Sequence, residues 1–161
     1  MNKVYLQLGS NMGDRQQHLA DATESISSHL GEITIRSKIY ESTPWRVDGQ
    51  HNYLNQVIIV KTLLSAEDTL LIILQIENDL GRVRIEKWGE RLIDIDIIFF
   101  NDEIYESAHL CIPHKHMHER NFVLVPLNEI ASNFVHPKYN KTISELFIDS
   151  SDIEKVNEYE I

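Results

Sequence analysis

Between Glu90 and Phe100 the chain reads ERLIDIDIIFF, an apolar run broken by two aspartates two residues apart. Successive side chains on an extended strand point to opposite faces, so Asp94 and Asp96 share one face while Ile93, Ile95 and Ile97 share the other. The isoleucine face has the character of a core. Two carboxylates about 6 to 7 Å apart repel each other unless a proton or a cation stands between them. A hard divalent ion suits the pair, because Mg²⁺ takes one or two carboxylates and completes its shell with waters and substrate phosphates. The same pattern also suits an edge strand whose solvated aspartates discourage pairing with another chain. The pair alone does not choose between these readings.

Arg82, Arg84, Lys87 and Arg91 stand just before it, four of the chain's fifteen basic residues within ten positions of a sequence whose net charge is -10. Guanidinium forks grip phosphate oxygens in bidentate fashion and a lysine adds a mobile point charge. Beside a pair able to hold Mg²⁺, such a loop points to a polyphosphate ligand; with Glu86 and Glu90 as counter-charges it reads equally as a solvated loop. No G-x-x-x-x-G-K-[ST] and no G-x-G-x-x-G occurs, so nucleotide chemistry would use another scaffold. His114, His116 and His118 in PHKHMH would share a face of an extended segment and could bind zinc, whereas a helical segment scatters them and leaves a single histidine to donate to a phosphate.

The elements that must position these residues are legible up to about Asn101. Lys3 to Gly9 alternates as a strand. GSNMGD turns into a helix from about Asp14 to Leu30, with Leu19, Ala22, Ile26 and Leu30 on one face. Glu32 to Glu41 and Asn52 to Thr62 alternate as two further strands. Ser65 with Asp68 resembles a capping box for a helix through Leu70, Ile73, Leu74 and Ile76 that ends at Gly81. With the aspartate strand, the order is β-α-β-β-α-β, the ferredoxin-like α+β pattern of an antiparallel sheet with both helices on one face. Beyond lies a C-terminal extension with a short hairpin around Glu103 to Leu110 and helical pieces near His116 to Asn121 and Pro126 to Ala131. The last dozen residues, acidic and without an apolar face, are expected to fray.

The 161 residues, 42% hydrophobic and without a break in composition, fit a single domain spanning 1-161. One cysteine, no signal pattern and no membrane-spanning run lead to the expectation of a cytoplasmic protein. The acidic balance argues against nucleic acid or an anionic membrane as partner.

Taken together, LGSNMGD at Leu8, YLN at Tyr53, IENDLGRVR at Ile76, ERLIDIDIIFF at Glu90 and IPHKHMHERNFVLVPL at Ile112 resemble the 6-hydroxymethyl-7,8-dihydropterin pyrophosphokinases of folate biosynthesis in order and spacing. The resemblance implies a ferredoxin-like fold and transfer of the pyrophosphoryl group of ATP to a pterin hydroxymethyl group, with AMP released. It implies a monomer using two Mg²⁺ ions held by Asp94 and Asp96, with Arg82 and Arg91 as further catalytic residues. Ser42, Thr43, Trp45, Tyr53, Asn55 and Phe122 match the pterin site, Tyr53 and Phe122 as an aromatic pair around the ring and Asn55 on its edge. Leu70, Glu77, Arg82, Arg84, Lys87, Trp88 and Arg91 match nucleotide positions, as do Ile97, His109, Leu110, Cys111, His114, Lys115 and Arg120. Leu74, Lys87, Glu90 and Lys115 depart from residues common in the family. Two alternatives stay open from the residues alone: a Mg-dependent nucleotidyl or phosphoryl transferase with another acceptor, and a small-molecule sensor on the same fold.

Overall fold

The computed structural model describes residues 1–44, 49, 51–81 and 92–161. Strand β1 (Asn2–Ser10) leads into helix α1 (Arg15–His29). Strands β2 (Glu32–Arg36), β3 (Tyr40–Ser42) and β4 (Tyr53–Thr62) follow, and helix α2 (Ala66–Asp79) returns the chain to β5 (Asp94–Phe100). β1 lies between β5 and β4, while β2 and β3 pair in turn along the outer side of β4, all antiparallel. This is the ferredoxin-like α+β arrangement expected from the sequence, with the second strand divided. Ser37 divides it: its N–H donates to Val57 O at 2.9 Å, while its hydroxyl accepts from Val57 N at 3.0 Å and donates to Lys38 O at 2.7 Å. A side chain has taken a ladder position there, and the strand bends.

The helix ends follow their sequence signals. Asp14 caps α1 by accepting from Gln17 N at 3.2 Å, and Leu19, Ala22 and Ile26 form its buried stripe. Ser65 caps α2 by accepting from Asp68 N at 3.1 Å, and Gly81, at φ +85°, supplies the left-handed residue past its end.

Helices α1 and α2 cover one face of the sheet, burying Val4, Leu6, Leu8, Ile58, Val60 and the Ile93, Ile95, Ile97 series. Each such aliphatic side chain contributes roughly 1.5–3 kcal/mol relative to exposure. The opposite face is covered by the C-terminal extension. After the hairpin of β6 (Tyr105–Glu106) and β7 (Cys111–Ile112) come a 3-10 turn (Met117–Glu119), helix α3 (Asn121–Ala131), helix α4 (Ile143–Asp149) and strand β8 (Val156–Glu158). Val123, Leu124 and Leu127 of α3 and Ile143 and Leu146 of α4 pack on Tyr5, Val57, Ile59, Ile98 and Phe99. Helix α4, opened by a full capping box of Thr142 and Glu145, is an element the sequence reading omitted. No helix among the described residues is long and apolar enough to cross a membrane.

The expectation that the last dozen residues fray is corrected. Residues Val156, Asn157 and Glu158 pair with Ser42, Glu41 and Tyr40 as an added edge strand, and Tyr159 N donates to Ile39 O at 2.8 Å. The stabilising contacts are backbone pairs with a strand far away in sequence, so no local apolar periodicity announces them.

At Gly31, between α1 and β2, the chain passes directly against the backbone of β4. A β-carbon there would lie 1.9 Å from the carbonyl oxygen of Lys61, which is backbone and cannot swing aside. Gly31→Ala is expected to cost at least about 1–3 kcal/mol, the scale of overpacking, read as a lower denaturant midpoint with the slope unchanged.

Candidate active site

One face of the sheet changes character along its strands, and it does so at the same level on three of them. Tyr5 stands between Ile59 on β4 and Phe99 on β5, all apolar and covered by α3 and α4. One step along that face, Gln7 stands between Val57 and Asp96; the next step puts Gly9 between Asn55 and Asp94. The two aspartates thus share the face opposite the isoleucine core, as their spacing predicted. A bulge in β5 at Ile98 leaves both Ile98 and Phe99 on the covered face, beneath α3 and α4.

Gly9 carries no side chain, so nothing rises from β1 between Asn55 and Asp94. Their strands lie two spacings apart, about 9–10 Å. Tyr53, two residues before Asn55 on β4, borders the same gap: a β-carbon on Gly9 would meet its Cδ1 at 3.4 Å. The amide of Asn55 is held at both its nitrogen and its oxygen. Its nitrogen donates to Ser42 Oγ at 2.8 Å and to Tyr40 O at 3.3 Å, and its oxygen accepts from Gln7 Nε2 at 3.4 Å. Gln7 also donates to the carbonyl of Phe122 at 3.4 Å. That carbonyl would normally accept from the N–H four residues on, but residue 126 is proline and has none, so the helix leaves it for Gln7. Gln7, Pro126 and Asn55 therefore fix where Phe122 stands over the sheet. The sequence reading missed Gln7; its signal was a polar residue of the same parity as Tyr5 and Gly9 within an otherwise apolar strand.

On the outer side of β5 the edge is sealed by polar groups. Glu77, only 3% exposed, accepts from Ile95 N at 2.9 Å, and His114 N donates to Ile98 O at 3.0 Å. Glu77 thus holds α2 to the aspartate strand. The side chains of Ile97 and Leu110 are in the core and Leu70 packs against it, whereas His109, Cys111 and Lys115 are exposed. Arg120 ends the turn before α3 with its guanidinium carbon 5.6 Å from the centre of the Phe122 ring. Arg82, Arg84, Lys87, Trp88 and Arg91 lie outside the described residues, as does Trp45. The chain flanking 82–91 is placed: a β-carbon on Gly81 would lie 3.6 Å from Cδ1 of Leu92, two residues before Asp94.

The histidines go to separate partners. His114 Nδ1 accepts from His116 N at 3.3 Å, so its ring proton sits on Nε2. The His116 ring lies 3.4 Å from a Glu119 oxygen, and the His118 ring meets Tyr139 edge-on at 4.8 Å. Burial, and then the nearby Arg120 charge, push the His114 pKa down to about 4, so this ring is a neutral donor. His136, buried under Tyr139, is pushed down to about 4 in the same way by burial and by His118, and its Nδ1 accepts from Lys138 N and Tyr139 N, both at 3.1 Å.

For a metal, Asp94 and Asp96 offer hard carboxylate oxygens and nothing softer. No group of three or more His, Cys, Asp or Glu that could hold an ion comes together among the described residues. Two carboxylates fit Mg²⁺, whose remaining positions go to water and phosphate.

The family model for 7,8-dihydro-6-hydroxymethylpterin-pyrophosphokinase matches residues 5–132. Similar chains include the 2-amino-4-hydroxy-6-hydroxymethyldihydropteridine pyrophosphokinases of Aquifex aeolicus and Bacillus subtilis. The first is 42% identical over 145 residues, covering 90% of this chain and 90% of that protein. The second is 43% identical over 130 residues, covering 80% and 78%. A solved Plasmodium falciparum HPPK-DHPS chain superposes with a TM-score of 0.74 at 20% identity over 91% of this chain, a likeness of fold. This chain spans 43% of that one.

The two depressed histidines make stability depend on pH. Each is neutral when folded and protonates near 6.5 when unfolded, so their contribution is complete above about 6.5 and is lost as pH falls towards about 4. Urea midpoints should fall across that window, with up to about two protons taken up on unfolding. Imidazole resonances of His114 and His136 that titrate near 6.5 in the native protein would contradict this.

Proposed function

Because the chain belongs to the 7,8-dihydro-6-hydroxymethylpterin-pyrophosphokinase family, we propose that it is a cytoplasmic, monomeric enzyme that moves the pyrophosphoryl group of ATP to the hydroxymethyl group of 6-hydroxymethyl-7,8-dihydropterin. The hydroxymethyl oxygen attacks the β-phosphorus and gives up its proton to solvent, the bond from that phosphorus to the AMP oxygen breaks, and AMP leaves with the bonding electron pair. The observation that carries this reading is the paired register of Gly9 with Asn55 on one side and Asp94 on the other. It leaves an amide and an aromatic ring facing a carboxylate pair across an open strand, room for two substrates whose reacting ends meet above Gly9.

Asn55, its amide oriented by Ser42 and Gln7, would read the polar edge of the pterin, with Tyr53 and Phe122 on its faces. Stacking on such a pair is worth about 0.5–1.5 kcal/mol beyond buried area. Ser42 and Thr43 close the ring's far side. Asp94 and Asp96 would hold two Mg²⁺ ions, which when bound neutralise charge on the triphosphate. His114, a neutral Nε2 donor, and Arg120, a fixed cation, would bind phosphate oxygens without competing for a proton. Arg82, Arg84, Lys87 and Arg91 supply further positive charge to the polyphosphate, and Trp88 would exclude water. Catalysis in this scheme is mostly positioning and electrostatics, as in other phosphoryl transfers.

Purified protein with ATP, Mg²⁺ and the reduced hydroxymethylpterin should yield AMP and the pterin diphosphate. ADP would indicate an ordinary kinase and pyrophosphate a nucleotidyl transferase. Asp94→Asn and Asp96→Asn should each fold and lose at least about a hundredfold in turnover, several kcal/mol of transition-state stabilisation. Near-normal turnover in both variants would return the pair to a solvated strand edge.

A further inference from the structure

The corrected C-terminal tail does more than add a strand. Asp152 Oδ2 accepts from the backbone N–H of Asn121, the first residue of α3, at 2.8 Å, and its carbonyl accepts from Asn121 Nδ2 at 3.1 Å. The other carboxylate oxygen accepts from Glu154 N at 3.0 Å, and the Glu154 carboxylate accepts from the Thr43 hydroxyl. These bonds join the start of α3, which carries Phe122, to the end of β3, which carries Ser42 and leads into Thr43; farther along, Tyr40 of β3 donates directly to Glu129 of α3 at 2.6 Å. On the sheet side the same segments are joined through Ser42, Asn55, Gln7 and the Phe122 carbonyl. The hydrogen bonds therefore close a ring around the space between Phe122, Asn55 and Thr43, with half of that ring supplied by residues 152–154.

We propose that Asp152 and Glu154 are positioning residues for the pterin ring, the tail tying the Phe122 side of the pocket to the Thr43 side so that the gap between them has one width. The inference rests on the pterin reading of the site. Neither carboxylate needs to touch the substrate. Asp152 holds the N-terminus of α3, where a carboxylate meets otherwise unpartnered N–H groups and the positive end of the helix dipole. Its partners fix the depth of Phe122 from outside as the Pro126 vacancy and Gln7 fix it from within. Glu154 holds the hydroxyl of Thr43 and so the path of the chain just past Ser42. A planar aromatic substrate is sensitive to this width, because stacking falls off steeply with separation. The triphosphate, bound by β5 and His114 beyond Gly9, does not pass through the ring.

The test compares Glu154→Gln, Asp152→Asn and the double variant with wild type. Calorimetric titration of the reduced hydroxymethylpterin and, separately, of a non-hydrolysable ATP analogue with Mg²⁺ is followed by steady-state kinetics. Each single variant is expected to weaken pterin binding about tenfold, a scale that lost positioning readily reaches, with the Kd for the analogue within about twofold of wild type. The two groups act in series, so the double variant should lose no more than the worse single variant, a non-additivity that general destabilisation does not produce. Thr43→Val, which breaks the same link from the other end, should add nothing to Glu154→Gln. Equal loss for both ligands, additive losses, or unchanged pterin binding in folded variants would each overturn the proposal while leaving the enzyme reading intact. A wild-type protein that binds no pterin would overturn both.

Discussion

Everything at the candidate site depends on the register of β1 with its two neighbours. The pairing that sets Tyr5 beside Ile59 and Phe99 also sets Gln7 beside Asp96 and Gly9 between Asn55 and Asp94. A slip of one residue in β5 would turn both carboxylates into the core beneath α1 and α2 and put isoleucines at the site. That slip is costly because Ile93, Ile95 and Ile97 are nearly fully buried on the far side. The apolar half of the alternation thus fixes the position of the polar half, and Glu77 reinforces it by holding Ile95 N from outside the sheet. Hydrophobic burial sets the geometry of the chemistry with no contact to it.

The second layer works differently. Helices α3 and α4 cover only the apolar end of their face, where Tyr5, Val57, Ile59, Ile98 and Phe99 lie. Where this cover stops, Phe122 stands at the border, packed partly against the second core and partly over the polar level. Its position is over-determined: Gln7 takes the carbonyl that Pro126 leaves open, and Asp152 takes the amide of the preceding residue. A proline costs a helix one hydrogen bond. Here the loss frees a group to fasten the helix to the sheet.

Much of this was legible in the sequence, and the part that was not shares one cause. The β-α-β-β-α-β order, the caps at Asp14 and Ser65, the glycine at 81 and the two faces of the aspartate strand all follow from patterns of 2 and 3.6 residues, which are local. The split at Ser37 was not legible, because a serine in an alternating run gives no sign that its hydroxyl will replace a ladder bond to Val57. Helix α4 does carry a local signal, the capping-box pair Thr142 and Glu145. The role of Gln7 and the docking of Asp152, Glu154 and β8 depend on partners about 30 to 115 residues away, and hydrophobic periodicity is silent about polar contacts of that range. Three histidines in PHKHMH were an open question in sequence. The turn at Met117–Glu119 sends their rings to different partners, and the backbone of His114 is bonded to β5 at Ile98 O.

For an acidic chain to bind a polyanion, as proposed, it must confine its attraction. With a net charge of -10 the surface as a whole repels a triphosphate, yet at physiological salt screening limits that repulsion to about 8 Å. Within such a distance only neighbouring groups matter: His114, whose backbone N–H is bonded to Ile98 O of the aspartate strand, is a neutral donor, and four basic residues are concentrated at positions 82–91 of the sequence. The pair itself adds negative charge where a phosphate would arrive, so on the proposed reading the site would favour a triphosphate only in company with divalent cations. In the proposed function the order of requirements follows from the charges: carboxylates that by themselves repel a nucleotide would become its anchor only with a divalent ion bound. A free nucleotide without metal would meet the same two aspartates as a barrier.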